Sequence, residues 1–165
     1  FQNGYDVNVS GVDAVLTYPL ESDLGVSAFS LTYGFNEREF ESDPSAYLNA
    51  EGIYDSQNFE PNHRAILSLS HAWDDYSVLI RTSYWGESSN YQSGNVQDFD
   101  GVSMTDLQLT YYGEEFELTM GGMNVFDEYP NEDEIGDYCC GRIYPSISTI
   151  SWQGANWYIS ATKEF

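Results

Sequence analysis

Trp157-Tyr158-Ile159-Ser160-Ala161-Thr162-Lys163-Glu164-Phe165 closes the chain and decides how the rest of it is read. Its odd positions carry Trp, Ile, Ala, Lys and Phe and its even positions Tyr, Ser, Thr and Glu, the two-residue period of a strand with one apolar and one polar face. The strand ends on an aromatic, whereas the last residues of a water-soluble domain usually fray. The final strand of an outer-membrane barrel has a physical reason for both features. One face meets lipid, the other a polar lumen, and an aromatic at the strand end sits at the membrane interface. Trp157, Ile159 and Phe165 are the positions that carry this closing pattern.

The totals suit strands and not spanning helices. Of 165 residues, 41% are hydrophobic and 16% aromatic, with 14 Tyr, 9 Phe and 4 Trp. No run approaches the ~20 apolar residues that a spanning helix needs, so any membrane crossing falls to strands. Twenty-seven Asp and Glu stand against five Lys and Arg, for a net charge of −22. That balance argues strongly against nucleic acid as a partner, since phosphates demand Lys and Arg. It leaves two readings: a solubilising or salt-adapted surface, or carboxylates that hold divalent cations or a cationic ligand. The opening Phe1-Gln2-Asn3-Gly4 has neither an initiator Met nor a charged-then-apolar signal segment, so the chain is expected to be processed or cut from something longer.

Working back from the closing strand, the same alternation recurs. From Asp6 to Leu20 a strand sets Val12, Ala14, Leu16, Tyr18 and Leu20 against Asp13, Val15 and Thr17, and turns at Glu21-Ser22-Asp23. The return, Gly25 to Asn36, sets Phe29, Leu31, Tyr33 and Phe35 against Ser30, Thr32 and Gly34, which makes a hairpin. His63 to Trp73 and Tyr76 to Gly86 form a second hairpin around Asp74-Asp75. Val102 to Tyr112 and Phe116 to Phe126 form a third around Gly113-Glu114. Tyr18, Trp73 and Tyr76 flank the short turns, as in a membrane-interface belt. Between the hairpins run long polar connections, 37–62, 87–101 and 127–156.

Seven strands result, with short turns after the first, third and fifth and long loops after the second, fourth and sixth. Such alternation is how bacterial outer-membrane barrels are built, with short turns at the periplasm and long loops outside. The expected fold is therefore all-β, a transmembrane antiparallel β-barrel. Seven is odd, however, and bacterial single-chain barrels have an even number of strands. A seven-stranded sheet alone leaves two edges that cannot sit in lipid. Residues 1–165 are thus expected to be the C-terminal part of a larger barrel, or to meet another chain. An eighth strand within 134–151 would break the alternation of loop lengths.

At Asn124-Val125-Phe126-Asp127-Glu128-Tyr129-Pro130 the chain resembles the Asn-Leu-Phe-Asp-x-x-Tyr motif in the penultimate strand of TonB-dependent outer-membrane receptors, with Val125 in place of Leu. Gly11-Val12-Asp13, the segment from Asn62-His63-Arg64 to Trp73 and the closing strand are similar to that family too. The resemblance implies about seven C-terminal strands of a 22-stranded barrel with a plugged lumen. It also implies an outer-membrane receptor of a Gram-negative bacterium, importing a scarce nutrient such as a siderophore, cobalamin, haem or an oligosaccharide with force supplied by TonB. The partners it implies are the outer-membrane lipid, the rest of the barrel, the plug through which TonB acts, and a small nutrient ligand. Neither plug nor TonB-contacting segment is in these residues. A different class of function remains: a structural or adhesive barrel segment completed by another chain, without active transport.

Candidate sites lie in the long connections. Tyr47, Tyr54, Tyr91, Phe99, Tyr138 and Tyr144 are candidate stacking surfaces for a ligand, or pack the loops against each other. Asp127, Glu128, Glu132, Asp133, Glu134 and Asp137 either form a solvated loop or hold Ca2+, although without the spacing of an EF-hand. Cys139 and Cys140 are adjacent, and successive Cα atoms stand about 3.8 Å apart, shorter than the usual disulfide span of roughly 4.4–6.8 Å. The readings are a strained vicinal disulfide, bonds to cysteines elsewhere, or free thiols; the pair alone is too few ligands for a metal. His63 and His71 share a strand face but lie about 26 Å apart at strand rise, so they are expected to be satisfied or interfacial and not joint ligands. Glu117 and Arg81 fall on the polar face. No hydrolase-like Ser motif, phosphate-binding Gly loop or nucleophile–base constellation is visible, so the chain is not read as an enzyme.

Overall fold

A computed structural model describes residues 4–135, 143–145 and 150–163. Within them the order is β1 (Val7–Ser22), β2 (Gly25–Phe40), α1 (Ala50–Asn58), β3 (His63–Trp73), β4 (Tyr76–Trp85), β5 (Ser88–Gln92), β6 (Asn95–Phe99), β7 (Val102–Tyr112), β8 (Phe116–Met123) and β9 (Asn156–Lys163). Seven strands form one antiparallel sheet in the order β1-β2-β3-β4-β7-β8-β9, and β5 and β6 form a separate hairpin. The all-β, antiparallel expectation and the three tight hairpins hold. The sheet is open and not a closed barrel: among the described residues β1 and β9 each pair on one side only.

Three boundaries differ from the sequence reading, each for a local reason. The first hairpin turns at Asp23-Leu24, one step later than expected, because Ser22 pairs with Gly25. Gly25 takes a φ of 125°, which a side chain would strain. Strand β8 stops at Met123 instead of Phe126, since Asn124 (φ 52°) and Asp127 (φ 60°) leave the extended region. The first two long connections are not plain loops. The first carries the end of β2 and helix α1, and the second is the β5–β6 hairpin, closed by Ser93 (φ 52°) and Gly94 (φ 84°). Positive φ at both central residues is the type of turn that matches strand twist.

Register aligns the two faces across the sheet, because directly opposed residues of antiparallel strands share a face. One row runs Tyr18, Phe29, Leu69, Ile80, Leu107, Gly122 and Trp157, and beside it Val78 faces Leu109, which faces Met120 and then Ile159. On the opposite face the rows read Thr17, Ser30, Ser68, Arg81 and Asp106, then Thr110, Thr119 and Ser160. Gly122 lets the Trp157 ring lie over the β8 backbone, since a Cβ there would come within 2.7 Å of that ring.

Burial follows the opposite rule from a water-soluble sheet. Thr110, on the polar face, is 1% exposed, whereas Leu109 beside it on the apolar face is 46% exposed. Leu67 and Leu69 are exposed while Ser68 and Ser70 between and beyond them are half-buried. Among the described residues the one buried hydrophobic side chain is Ile150, in the last connection. The hydroxyls instead satisfy each other: Thr110 Oγ1 lies 3.1 Å from Thr119 Oγ1. Arg81 donates to Asp106 Oδ2 at 2.7 Å through Nη2 and 3.2 Å through Nε.

Aromatic rings edge the apolar face at both ends. Near the short turns, His71, Trp73, Tyr76, Tyr111 and Phe116 follow one another at centroid spacings of 5.3, 5.8, 5.1 and 5.7 Å. Near the long connections, His63 lies 4.9 Å from Phe35 and 6.1 Å from Tyr33.

Candidate functional site

The long connections assemble at one end of the sheet into a single polar structure. Helix α1 begins where Asn49 Oδ1 accepts from Gly52 N at 2.8 Å, an N-cap that ends the polar run before it. Two carboxylates of the helix then hold the β5–β6 hairpin by its backbone. Asp55 Oδ1 accepts from Tyr91 N at 2.8 Å and Glu51 Oε1 from Ser93 N at 3.1 Å. The hairpin is tied in turn to the third connection: Gln97 Nε2 donates to Glu132 O at 2.7 Å, and Gln97 Oε1 accepts from Glu134 N at 2.9 Å. Asn131 closes the same seam, its Oδ1 accepting from Asp100 N at 3.0 Å and its Nδ2 donating to Asp100 Oδ2 at 3.1 Å.

The candidate aromatics are distributed over this structure. Tyr54 and Tyr91 meet edge to face at 5.9 Å, and Tyr54 Oη lies 2.9 Å from Ser89 Oγ. Phe99 lines a cleft of about 300 Å³ with Glu60, Glu87, Asp98 and Asp100. Tyr47 is apart from these, 6.5 Å from Tyr5. Tyr144 stacks on Tyr129 at 6.0 Å. Tyr138, Asp137, Cys139, Cys140 and Phe165 lie outside the described residues.

Asn124-Val125-Phe126-Asp127-Glu128-Tyr129 forms a turn that anchors the third connection to the sheet. Asn124 is buried, and its side chain clasps Glu128 from both sides, donating to Glu128 O at 2.8 Å and accepting from Glu128 N at 3.0 Å. Its backbone N donates to Asp106 Oδ1 at 3.0 Å, so Asp106 joins the turn to Arg81. Val125 N donates to Thr105 O at 2.8 Å, whereas Phe126 stays 71% exposed. Asp127 Oδ1 accepts from Ala155 N at 2.8 Å just before β9. Tyr129 hydrogen-bonds Asp127, and that bond together with the carboxylate charge raises its phenol above the ordinary value. Asp43 is shifted the other way, held below the usual carboxylate range by the backbone N–H of Ser45.

Both histidines have partners, His63 Nδ1 with Tyr33 Oη at 2.7 Å and His71 Nδ1 with Ser27 Oγ at 2.8 Å. Among the described residues no group of three or more His, Cys, Asp or Glu is arranged to hold a metal, and no helix is long and apolar enough to cross a membrane. The seam-forming residues Asn49, Glu51, Asp55, Gln97 and Asn131 are absent from the sequence-based candidates. Only Asn49, an N-cap residue before Ala50-Glu51, carried a local signal.

Neither the protein-family models nor the curated proteins searched contain a match to this chain.

Proposed function

We propose that the chain is a section of outer-membrane barrel wall, the C-terminal part of a TonB-dependent receptor that imports a scarce nutrient in a Gram-negative bacterium. The observation that carries this reading is the inverted burial, with leucines bare on one face and hydroxyls sheltered on the other. In water such a sheet would expose far more contiguous apolar surface than soluble monomers tolerate. In a bilayer the same face is solvated by acyl chains, and the polar face lines a lumen. The aromatic positions fit that frame. Tyr76 and Tyr84 lie on the apolar face eight positions apart on β4. That separation is ~27 Å along a strand, or about 20 Å across a bilayer at a tilt of ~40°, near the ~25 Å apolar band of such barrels.

In this reading the interlocked connections face outwards and receive the nutrient, while the earlier strands, plug and TonB contact belong to other residues. The Asn124–Tyr129 turn supports the family assignment by its sequence, and its role here is to brace the last outer loop. Brominated lipid tests the membrane placement. In variants retaining one Trp each, Trp157 emission is expected to be quenched strongly and Trp85, on the polar face, spared. Equal quenching, or none at Trp157, refutes the bilayer reading. The denatured mass of the native outer-membrane species then decides between functions. A mass several times that of 165 residues supports the receptor, and a mass no larger leaves a structural or adhesive segment completed by another chain.

A further inference from the structure

Both ends of the third connection stand on the polar face of β7. At the entry, Asp106 Oδ1 accepts from Asn124 N at 3.0 Å. At the exit, Tyr158 Oη donates to Gln108 Oε1 at 3.1 Å, and the Tyr158 ring lies over Gly121, where a Cβ would meet it. Asp106 and Gln108 are two positions apart on one strand and therefore share a face. The two legs of the connection are thus set by side chains on the polar face of the sheet.

The legs are held differently. Gln108 is neutral, and its Nε2 turns to Thr110 Oγ1 at 3.3 Å on its own strand. Asp106 is charged and depends on a neighbour. Arg81 lies directly opposite it in register and donates to Oδ2 through both Nε and Nη2, which fixes the carboxylate with Oδ1 towards Asn124 N. Without that fork the carboxylate turns to water, and the buried Asn124, at a φ of 52°, loses the acceptor of its backbone N–H. Arg81 is itself only partly committed. Its side chain is 49% exposed, and its Nη1 makes no hydrogen bond among the described residues. On the β3 side the residue directly opposite is Ser68, short and neutral.

We propose that Arg81 is a latch for the third connection, released by an anionic group that reaches the polar face on the Ser68 side. Drawn towards β3, the guanidinium leaves Asp106, the entry leg loosens at Asn124, and the connection turns on the exit leg that Tyr158 keeps on Gln108. The apolar face takes no part, so the latch stands or falls separately from the bilayer reading.

The experiment supplies the anion by substitution. The full native protein in detergent is treated with a glutamyl protease, which has sites in both the first and the third connections, and the fragments are quantified by mass. Ser68→Asp sets a carboxylate beside Arg81 while Arg81, Asp106 and Asn124 all remain. It is expected to raise cleavage in the third connection relative to the first by about threefold to fivefold, the range of a partly exposed ion pair, with Ser68→Asn unchanged. Arg81→Ala and Asp106→Ala are each expected to give a similar rise, and the double variant no more than either alone. Arg64→Ala removes a positive charge from the same face, where Arg64 lies over Trp85, and is expected to leave the ratio as it is. The proposal is overturned if Ser68→Asp is cleaved like Ser68→Asn, if the Arg81 and Asp106 effects multiply, or if Arg64→Ala matches Arg81→Ala. A variant that opens both connections alike has lost the fold as a whole, and the comparison of the two Ser68 variants then decides.

Discussion

The two faces of the seven-stranded sheet are built by different chemistry although they share every strand. On one, Leu16, Leu31 and Leu67 oppose each other with no second layer packed over them among the described residues, and specificity comes from alternation and register. On the other, Arg81, Asp106, Thr110 and Thr119 are joined by named hydrogen bonds. The apolar face therefore tolerates exchange among hydrophobes and is sensitive to charge, whereas the polar face is sensitive to the loss of single atoms. The solvent each face meets decides which property matters.

Neighbouring positions on β3 break the comparison most sharply. Leu69→Arg is expected to cost about 2–4 kcal/mol in a bilayer, whereas Ser70→Arg, on the polar face, costs much less. Urea titration of the protein folded into vesicles measures both. If the sheet were water-solvated, Leu69→Arg would stay within about 0.5 kcal/mol. Asn124→Ala comes next, since it removes both bonds to Glu128 and puts a Cβ-bearing residue without a local hydrogen bond at a φ of 52°. A loss of about 2 kcal/mol is expected, read as faster proteolysis within 127–155. Thr110→Val keeps the shape and deletes the hydroxyl that meets Thr119, for about 1 kcal/mol in the same urea titration.

The smallest effect is a pH dependence outside the sheet. Tyr129 keeps its proton above the ordinary tyrosine value, so the folded state favours the neutral phenol. Its contribution is full below the unfolded pKa of about 10 and is lost as pH rises through the raised folded value. Protease resistance of the third connection is expected to fall over that alkaline window, and Tyr129→Phe to abolish the window. An unchanged alkaline profile in that variant would remove Tyr129 from the account.

Legibility in the sequence follows the same division. The strands of the large sheet are readable because different surroundings on the two faces impose a period of two over eight or more residues, and Leu67-Ser68-Leu69-Ser70 shows it plainly. The long connections lack that constraint. Helix α1 contains Gly52, Ser56 and Asn58, none a strong helix former, and buries no side chain. In β5, Ser88-Ser89-Asn90-Tyr91-Gln92 alternates nothing, and it is held by Asp55 and Glu51 from another connection. Side-chain-to-backbone bonds spanning thirty-five or more positions, such as Tyr91 with Asp55, leave no local trace. Tyr54 and Tyr91 are legible as loop aromatics, but their meeting is not.

Strand β2 runs on past Phe35, the last of its residues to pair with β3, to Phe40, and along that stretch it stays paired with β1 on its other side. On the β3 side the stretch beyond would be an open backbone edge, the kind on which adjacent molecules zip together. Instead Asn36 N donates to Asn62 O at 2.9 Å, and Arg38 O accepts from Gln57 Nε2 at 3.4 Å at the end of α1. A short, weakly helical segment thus acts as insulation. In a crowded layer of like proteins it would keep one molecule's projecting ribbon from becoming its neighbour's next strand.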